Sequence, residues 1–353
     1  MFKHNTTRQI KIGNVKIGGG LPVVVQSMTK TDTSNIRATV NQIKQLEKAG
    51  CKIVRVAVPD MNTAKVLKKI KKRITIPLVA DIHFDYKLAI ESIKQGVDKI
   101  RINPGNIGSR DKVKEVVLAA KEAKIPIRIG LNSGSIKKMR GNIRDVMVET
   151  AIDYVKMFED WHFFDMVLSL KSSDVFTTIE AYRLLAEKVN YPLHLGITES
   201  GPPGPGTVKS AIGIGILLME NIGDTIRVSL TADPVEEVKT AYQILQATGK
   251  NDRGVDIVSC PTCARCRINL VKIVRDFENE ISKHQLVFNR SIKVAIMGCE
   301  VNGPGEARHS DIGIAGGRNT GLLFKHGKVI KKIKPENWTE ELISGIIDIS
   351  RKL

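Results

Sequence analysis

Between residues 22 and 231, short apolar runs alternate with longer amphipathic stretches, and the pair recurs eight times. Apolar runs too short to be buried helices, each followed by a helical period, read as strands of a parallel sheet covered on both faces. The expected strands are residues 22–28, 52–58, 77–84, 99–103, 126–132, 165–170, 192–198 and 224–230. The expected helices are 36–49, 64–72, 86–95, 112–123, 143–158, 175–189, 208–220 and 234–247. Eight such units in this length point to an α/β fold closed into a (β/α)8 TIM barrel, with an open doubly wound sheet as the alternative.

A barrel of this kind does its chemistry at the carboxyl ends of its strands. Those ends are polar here: Gln26-Ser27-Met28-Thr29, Arg55, Asp81-Ile82-His83, Arg101-Ile102-Asn103, Arg128, Asn132, Lys171, Thr198-Glu199 and Ser229. Arg55, Arg101 and Arg128 each sit between apolar neighbours inside a strand. A guanidinium directed into a barrel needs a partner, because an unpaired buried charge is costly. Together with Lys171 they predict an anion site, most naturally for phosphate, which the guanidinium fork grips through two oxygens. The alternative is that each cation pairs with a barrel carboxylate such as Asp81 or Glu199. The loop Gly201-Pro202-Pro203-Gly204-Pro205-Gly206 enters a helix and offers a further anion contact through backbone N–H groups.

Residues 248–254 read as a polar linker, dividing a barrel domain of residues 1–247 from a small α+β domain of residues 254–353. Strands are expected there at 255–259, 292–297, 311–315, 322–325 and 328–333, and helices at 268–281 and 339–352. Four of the chain's 5 cysteines fall in this part: Cys260, Cys263, Cys266 and Cys299. Zinc favours two paired knuckles, and the second pair is missing. Three thiolates with a weaker fourth ligand suit an iron–sulfur cluster with one exchangeable corner better. The radical-type C-x3-C-x2-C arrangement is absent. Cys266 is expected on the first turn of the following helix, and Cys51 in the core.

An odd number of clustered cysteines fits a reducing cytoplasm better than a disulfide framework. The first residues carry no long apolar stretch or transit-peptide profile, and no segment reaches the length of a membrane span, so no membrane role is expected. A net charge of +18 raises the possibility of nucleic acid. Aromatic residues are only 5%, however, and the lysines lie on helix faces, so the charge is read as serving a polyanionic small substrate or an acidic protein partner. The competing readings are a redox-silent barrel enzyme for a phosphorylated or pterin-like ligand with a structural zinc, and a basic RNA-binding protein with a zinc-knuckle-like tail.

Several motifs together resemble one family. They are Val25-Gln26-Ser27-Met28-Thr29, Val79-Ala80-Asp81-Ile82-His83-Phe84-Asp85 and Arg101-Ile102-Asn103-Pro104-Gly105-Asn106-Ile107-Gly108. Gly196-Ile197-Thr198-Glu199, Ser259-Cys260-Pro261-Thr262-Cys263 and the run from Gly298-Cys299 to Glu306 complete the set. In order and over essentially the whole chain, they resemble the bacterial two-domain 4-hydroxy-3-methylbut-2-enyl diphosphate synthases of the non-mevalonate isoprenoid pathway.

The resemblance implies reductive ring opening of 2-C-methyl-D-erythritol 2,4-cyclodiphosphate, fed with single electrons by flavodoxin or ferredoxin through a 4Fe–4S cluster. It implies Cys260, Cys263, Cys299 and Glu306 as cluster ligands, in a domain of the sulfite-reductase/ferredoxin-like kind. It implies Arg55, His83, Arg101, Arg128, Asn132 and Lys171 as substrate contacts, Asn302 as a polar contact beside the cluster, and Glu199 as a proton donor. A head-to-tail homodimer is implied as well, one copy's cluster domain covering the other's barrel. Cys266 departs from the family pattern and puts the fourth ligand in question.

Overall fold

The computed structural model describes residues 6–136, 141–251, 254–266, 268–284, 290–299, 301, 303–317 and 320–351. The chain divides into two compact units, Met1–Lys250 and Asn251–Leu353.

In the first unit, the strands Val24–Met28, Ile53–Val58, Leu78–Ile82, Lys99–Ile102, Ile127–Asn132, Met166–Lys171, His194–Leu195 and Thr225–Ile226 form one 8-stranded sheet. All neighbours are parallel, and the eighth strand returns to the first through Thr225↔Val24 and Ile226↔Val25. A bridge between Leu168 and Leu193 joins the sixth strand to the seventh, where Leu168 N–H donates to the Pro192 carbonyl at 2.9 Å. The sheet is therefore a barrel.

Strand alternation sorts the side chains into two environments. Val54, Val56, Leu78, Ala80, Ile100, Ile102, Ile127, Ile129, Leu168 and Leu170 join one buried core with the surrounding helices. Ile53, Val79 and Val167, near the amino ends of their strands, form a separate cluster with Ile10, Ile12 and Ile17. These last three belong to an antiparallel hairpin, Ile10–Ile12 with Val15–Ile17, which plugs the amino end of the barrel. This hairpin is not among the elements expected from the sequence. Above this apolar floor the inward positions turn polar.

The helices start where short side chains cap them. Asp60, Asp174 and Asp233 accept the N–H groups of Thr63, Thr177 and Val235 at 2.8, 2.7 and 2.8 Å. Each cap contributes about 1 kcal/mol and ends the strand-to-helix loop sharply, leaving the strand ends open at the mouth.

The second unit is a 5-stranded sheet in the order Gly254–Ser259, Ser291–Met297, Ile312–Gly316, Gly321–Lys325 and Lys328–Ile333. The first three strands are mutually parallel and the remaining pairings antiparallel. The helices Leu270–Lys283 and Trp338–Arg351 supply Phe277, Trp338, Leu342 and Ile346 to a core with Ile292, Val294 and Ile296. The short helix Gly303–Arg308 packs Ala307 in a second cluster with Ala295, Met297 and Phe324.

One expectation is corrected. The helix after the cysteines begins at Leu270, because Asn269 caps it by accepting the Lys272 N–H at 3.1 Å. Cys266 therefore lies in a turn before the helix, its N–H donating to the Cys263 carbonyl at 2.9 Å, and not on the first helical turn.

Candidate active site

The polar inward positions open into a cavity of about 190 Å³ lined by Arg55, Asp81, His83, Arg101, Arg128, Asn132, Lys171 and Arg227, together with Met28, Ser169, Thr198 and Ser229. Asp81 is the one carboxylate among the described residues of the lining and organises one side of it. Arg101 Nη1 donates to Asp81 Oδ1 at 3.1 Å, while Arg55 Nε and His83 Nε2 stand 3.7 and 3.6 Å from Oδ2. Arg101 Nη1 also lies 3.1 Å from His83 Nε2, and Nη2 donates to the Gly130 carbonyl at 3.1 Å. Burial works to raise the Asp81 carboxyl, but Arg55, the His83 hydrogen bond and Arg101 outweigh it and hold it well below the usual carboxylate range.

Arg128 and Lys171 lack such a partner among the described residues. Arg128 is 1% exposed, and its Nε and Nη1 have no acceptor among the described residues. Lys171 is buried too, and no described carboxylate pairs with either residue. The alternative in which each cation has its own carboxylate thus holds for Arg55 and Arg101, which share Asp81, and fails for these two. Burial first, then the crowd of neighbouring arginines, pushes the Lys171 ammonium well below the usual lysine range. Burial likewise lowers Arg55 to about 10, against the pull of Asp81. Buried donors without an acceptor, as on Arg128, are of the kind that suits an anion.

Two glycines make room for the cations. A Cβ on Gly196 would lie 2.6 Å from Lys171 Nζ and 2.5 Å from the Arg227 carbonyl oxygen, and one on Gly130 would strike Arg101. Asn132 lines the cavity and caps the turn Ser133–Ser135. At the rim, Phe84 and Glu199 follow strands three and seven with φ of 64° and 51°. Left-handed backbone at a non-glycine residue is strained, and it gathers at functional sites. Glu199 is exposed and makes no ion pair among the described residues.

Arg227 was missed in the sequence, although it lies between Ile226 and Val228 in the same alternation that marked the other arginines. Its guanidinium is 3.6 Å from Glu237. The glycine-rich loop, expected as an anion contact, spends part of its donors within itself. Gly206 N–H already donates to Pro202 and Val208 N–H to Gly204, while Pro205 has none to offer.

In the second unit, Cys260 directly follows the first strand and Cys299 closely follows the second, its parallel neighbour. Cys260 N–H donates to the Ile296 carbonyl at 3.2 Å, so both cysteine loops leave the same end of the sheet. Glu306, exposed, is in the first turn of the helix Gly303–Arg308, whose Gly303 packs so closely that a Cβ would be 3.0 Å from those of Met297 and Ala315. Cys263 is exposed, and the preceding Thr262, β-branched, has φ of 65°. Cys266 faces Gly298, where a Cβ would be 2.5 Å from its sulfur, and its thiol lies 3.4 Å from the Ile268 carbonyl. Among the described residues no three His, Cys, Asp or Glu side chains converge closely enough to hold a metal ion. Asn302 lies outside the described residues. Cys51 is a core thiol, pushed up to about 12 by burial.

A model of the GcpE TIM-barrel domain matches residues 7–242, and one of the GcpE protein C-terminal domain matches residues 256–348. The chain belongs to the GcpE family. It is 57% identical to the 4-hydroxy-3-methylbut-2-en-1-yl diphosphate synthase (flavodoxin) of Thermodesulfovibrio yellowstonii, over 100% of both chains. It is 56% identical to the enzyme of the same name from Clostridium perfringens, over 96% of this chain and 98% of that one. Among solved structures, Yersinia pestis dihydropteroate synthase matches with a TM-score of 0.51 at 12% identity, covering 68% of this GcpE chain and 98% of its own. That likeness is one of fold. Among the described residues no helix is long and apolar enough to cross a membrane.

Proposed function

We propose that this GcpE chain is an iron–sulfur oxidoreductase that opens 2-C-methyl-D-erythritol 2,4-cyclodiphosphate to 4-hydroxy-3-methylbut-2-enyl diphosphate, a step of non-mevalonate isoprenoid synthesis. Two electrons and a proton enter, one carbon–oxygen bond to phosphate breaks, and a hydroxyl leaves as water. The observation that carries the reading is the barrel mouth, where Arg55, Arg101, Arg128, Lys171 and Arg227 surround a single lining carboxylate. That excess suits a substrate bearing two phosphates, and it suits the product more, since ring opening frees a further phosphate oxygen to carry charge.

In this reading Arg128 satisfies its empty donors on the diphosphate and Lys171 adds its amine beside it, while Asp81 holds Arg55, His83 and Arg101 at fixed angles to it. Asn132 makes a further substrate contact, Asn302 a polar contact near the cluster, and Glu199 hands over the proton. Cys260, Cys263, Cys299 and Glu306 would hold a 4Fe–4S cluster, which supplies the electrons one at a time and a Lewis-acidic iron to the leaving oxygen. Three soft thiolates on loops and one harder, more easily displaced carboxylate on the short helix Gly303–Arg308 suit such a cluster. Cys266, turned onto Gly298, acts in packing. The partners are flavodoxin or ferredoxin and a second copy of the chain, in the cytoplasm, with a barrel domain of residues 1–247 and a cluster domain of residues 254–353.

The test is anaerobic isolation followed by assay with the cyclic diphosphate and reduced flavodoxin. A brown protein that forms the linear diphosphate is expected; a colourless one with stoichiometric zinc would remove the reading. Glu306→Ala is expected to retain iron and colour while losing most turnover.

A further inference from the structure

Beneath the mouth lies a charge that the proposed reaction does not use. Lys99, on the fourth barrel strand, is completely buried and does not line the cavity. Its Nζ reaches across the barrel interior to Oε1 of Gln26 on the first strand, at 3.3 Å, and pairs with no carboxylate among the described residues. We propose that Lys99 is a proton-loading group under the anion site, taking a proton from solvent when a diphosphate fills the mouth and releasing it when the diphosphate leaves. This rests on the reading of the mouth as a diphosphate site.

The argument is one of charge balance in a dry space. Toward Lys99 the interior presents Arg55 from the second strand, Arg128 from the fifth and His194 from the seventh, with Lys171 of the sixth beyond them beside Arg128 and His194. Asp81 on the third strand is the nearby carboxylate, already engaged with Arg55 and Arg101, and Arg227 on the eighth is held by Glu237. Arginine does not give up its proton, so an empty mouth relieves its excess charge through groups that do. Burial first, then Arg128 and Arg55, holds the Lys99 ammonium well below the usual lysine range. His194 is lowered as well, mainly by burial; its Nδ1 lies 2.8 Å from the Thr225 hydroxyl.

Gln26 suits both charge states. As placed, its carbonyl faces Lys99 and accepts from an ammonium, whereas its NH2 group has no acceptor. Turning the carboxamide over lets the NH2 donate to a neutral amine, a rearrangement of one terminal torsion. The step is a bare protonation, amine plus solvent proton giving ammonium, with no electron moved. Each negative charge brought within about 8 Å in a medium of effective dielectric about 20 favours the ammonium by well over tenfold.

The cyclic diphosphate is the appropriate probe, since neither of its phosphates titrates near neutrality. It is titrated calorimetrically into the anaerobically isolated holoenzyme, without electron donor, at pH about 8 in two buffers of different ionisation heat. The expected result is uptake of about half a proton or more per ligand bound. Lys99→Met is expected to bind about tenfold more weakly and to lose most of that uptake. Buffer-independent heats in the unsubstituted protein would overturn the proposal. So would full uptake in Lys99→Met, which would assign the proton to Lys171 or His194. Should Lys99→Met not fold, the affinity of the unsubstituted protein between pH 7 and 9 decides: weakening with rising pH supports loading, and a flat profile overturns it. Failure of the ligand to bind at all would remove the diphosphate reading itself, a separate outcome.

Discussion

Asp81 stands at the centre of the site because two arginines and a histidine depend on its two oxygens. Removing the charge leaves Arg55 and Arg101 buried without compensation, a change worth about 3–5 kcal/mol in comparable pairs. Asp81→Asn is therefore expected to lower stability by about that amount in denaturant unfolding, with part of the loss restored by added diphosphate. An unchanged midpoint would mean that the arginines hold their places without it. The pH dependence has a definite sign. The folded-state carboxyl is held below its ordinary value, so its contribution is complete above about pH 4 and is lost as pH falls through the folded value. The residue pattern made half of this legible. Arginines flanked by apolar residues announced Arg55, Arg101 and Arg128, but not which of them would share Asp81, because that depends on the register of three adjacent strands, which sets Asp81 beside Arg101 and which no single strand's pattern carries. Lys99 obeys the same alternation and passed unnoticed, since it precedes the strand's polar carboxyl end.

Elements carry the site by what they leave out as well as by what they present. Gly196 follows the seventh strand, and Lys171 of the sixth lies over it at a distance that excludes a methyl group. Gly196→Ala must displace either the lysine or the backbone at Arg227, a strain typically of about 1–3 kcal/mol. The variant is expected to fold with a lowered midpoint and to bind the cyclic diphosphate more weakly, read by calorimetry beside unfolding curves. Full affinity would show that Lys171 does not touch the ligand from this position. Strand and helix periods made the eight barrel units legible because each apolar run is buried under helices on its outer face. The hairpin Ile10–Ile17 escaped, since two strands of 3 residues carry too little pattern until the barrel floor is there to receive Ile12 and Ile17. Likewise the helix start at Leu270 follows from the cap at Asn269, a local hydrogen bond that outranked the apolar residue before it.

At the scale of the whole molecule, the proposed function divides anion binding and electron transfer between two compact units with separate cores, the barrel core around Val54 and Ile100 and the sheet core around Phe277 and Trp338. A ligand that binds only the folded form of one unit stabilises that unit by mass action. In the proposed reading, a cluster held by Cys260, Cys263 and Cys299 stabilises the second unit, and the cyclic diphosphate stabilises the first. Stripping iron with a chelator under anaerobic conditions is expected to lower the melting of residues 251–353 by several degrees while leaving the diphosphate-dependent rise of the barrel's melting in place. Two transitions followed by calorimetry, with and without each ligand, check this directly. Cys266→Ser supplies the control: a thiol that packs on Gly298 and ligates nothing leaves the iron content unchanged when it becomes a hydroxyl. Loss of one iron in that variant, or a diphosphate effect that vanishes with the cluster, would mean that the two units share one ligand-binding event and that the division of labour along the chain is wrong.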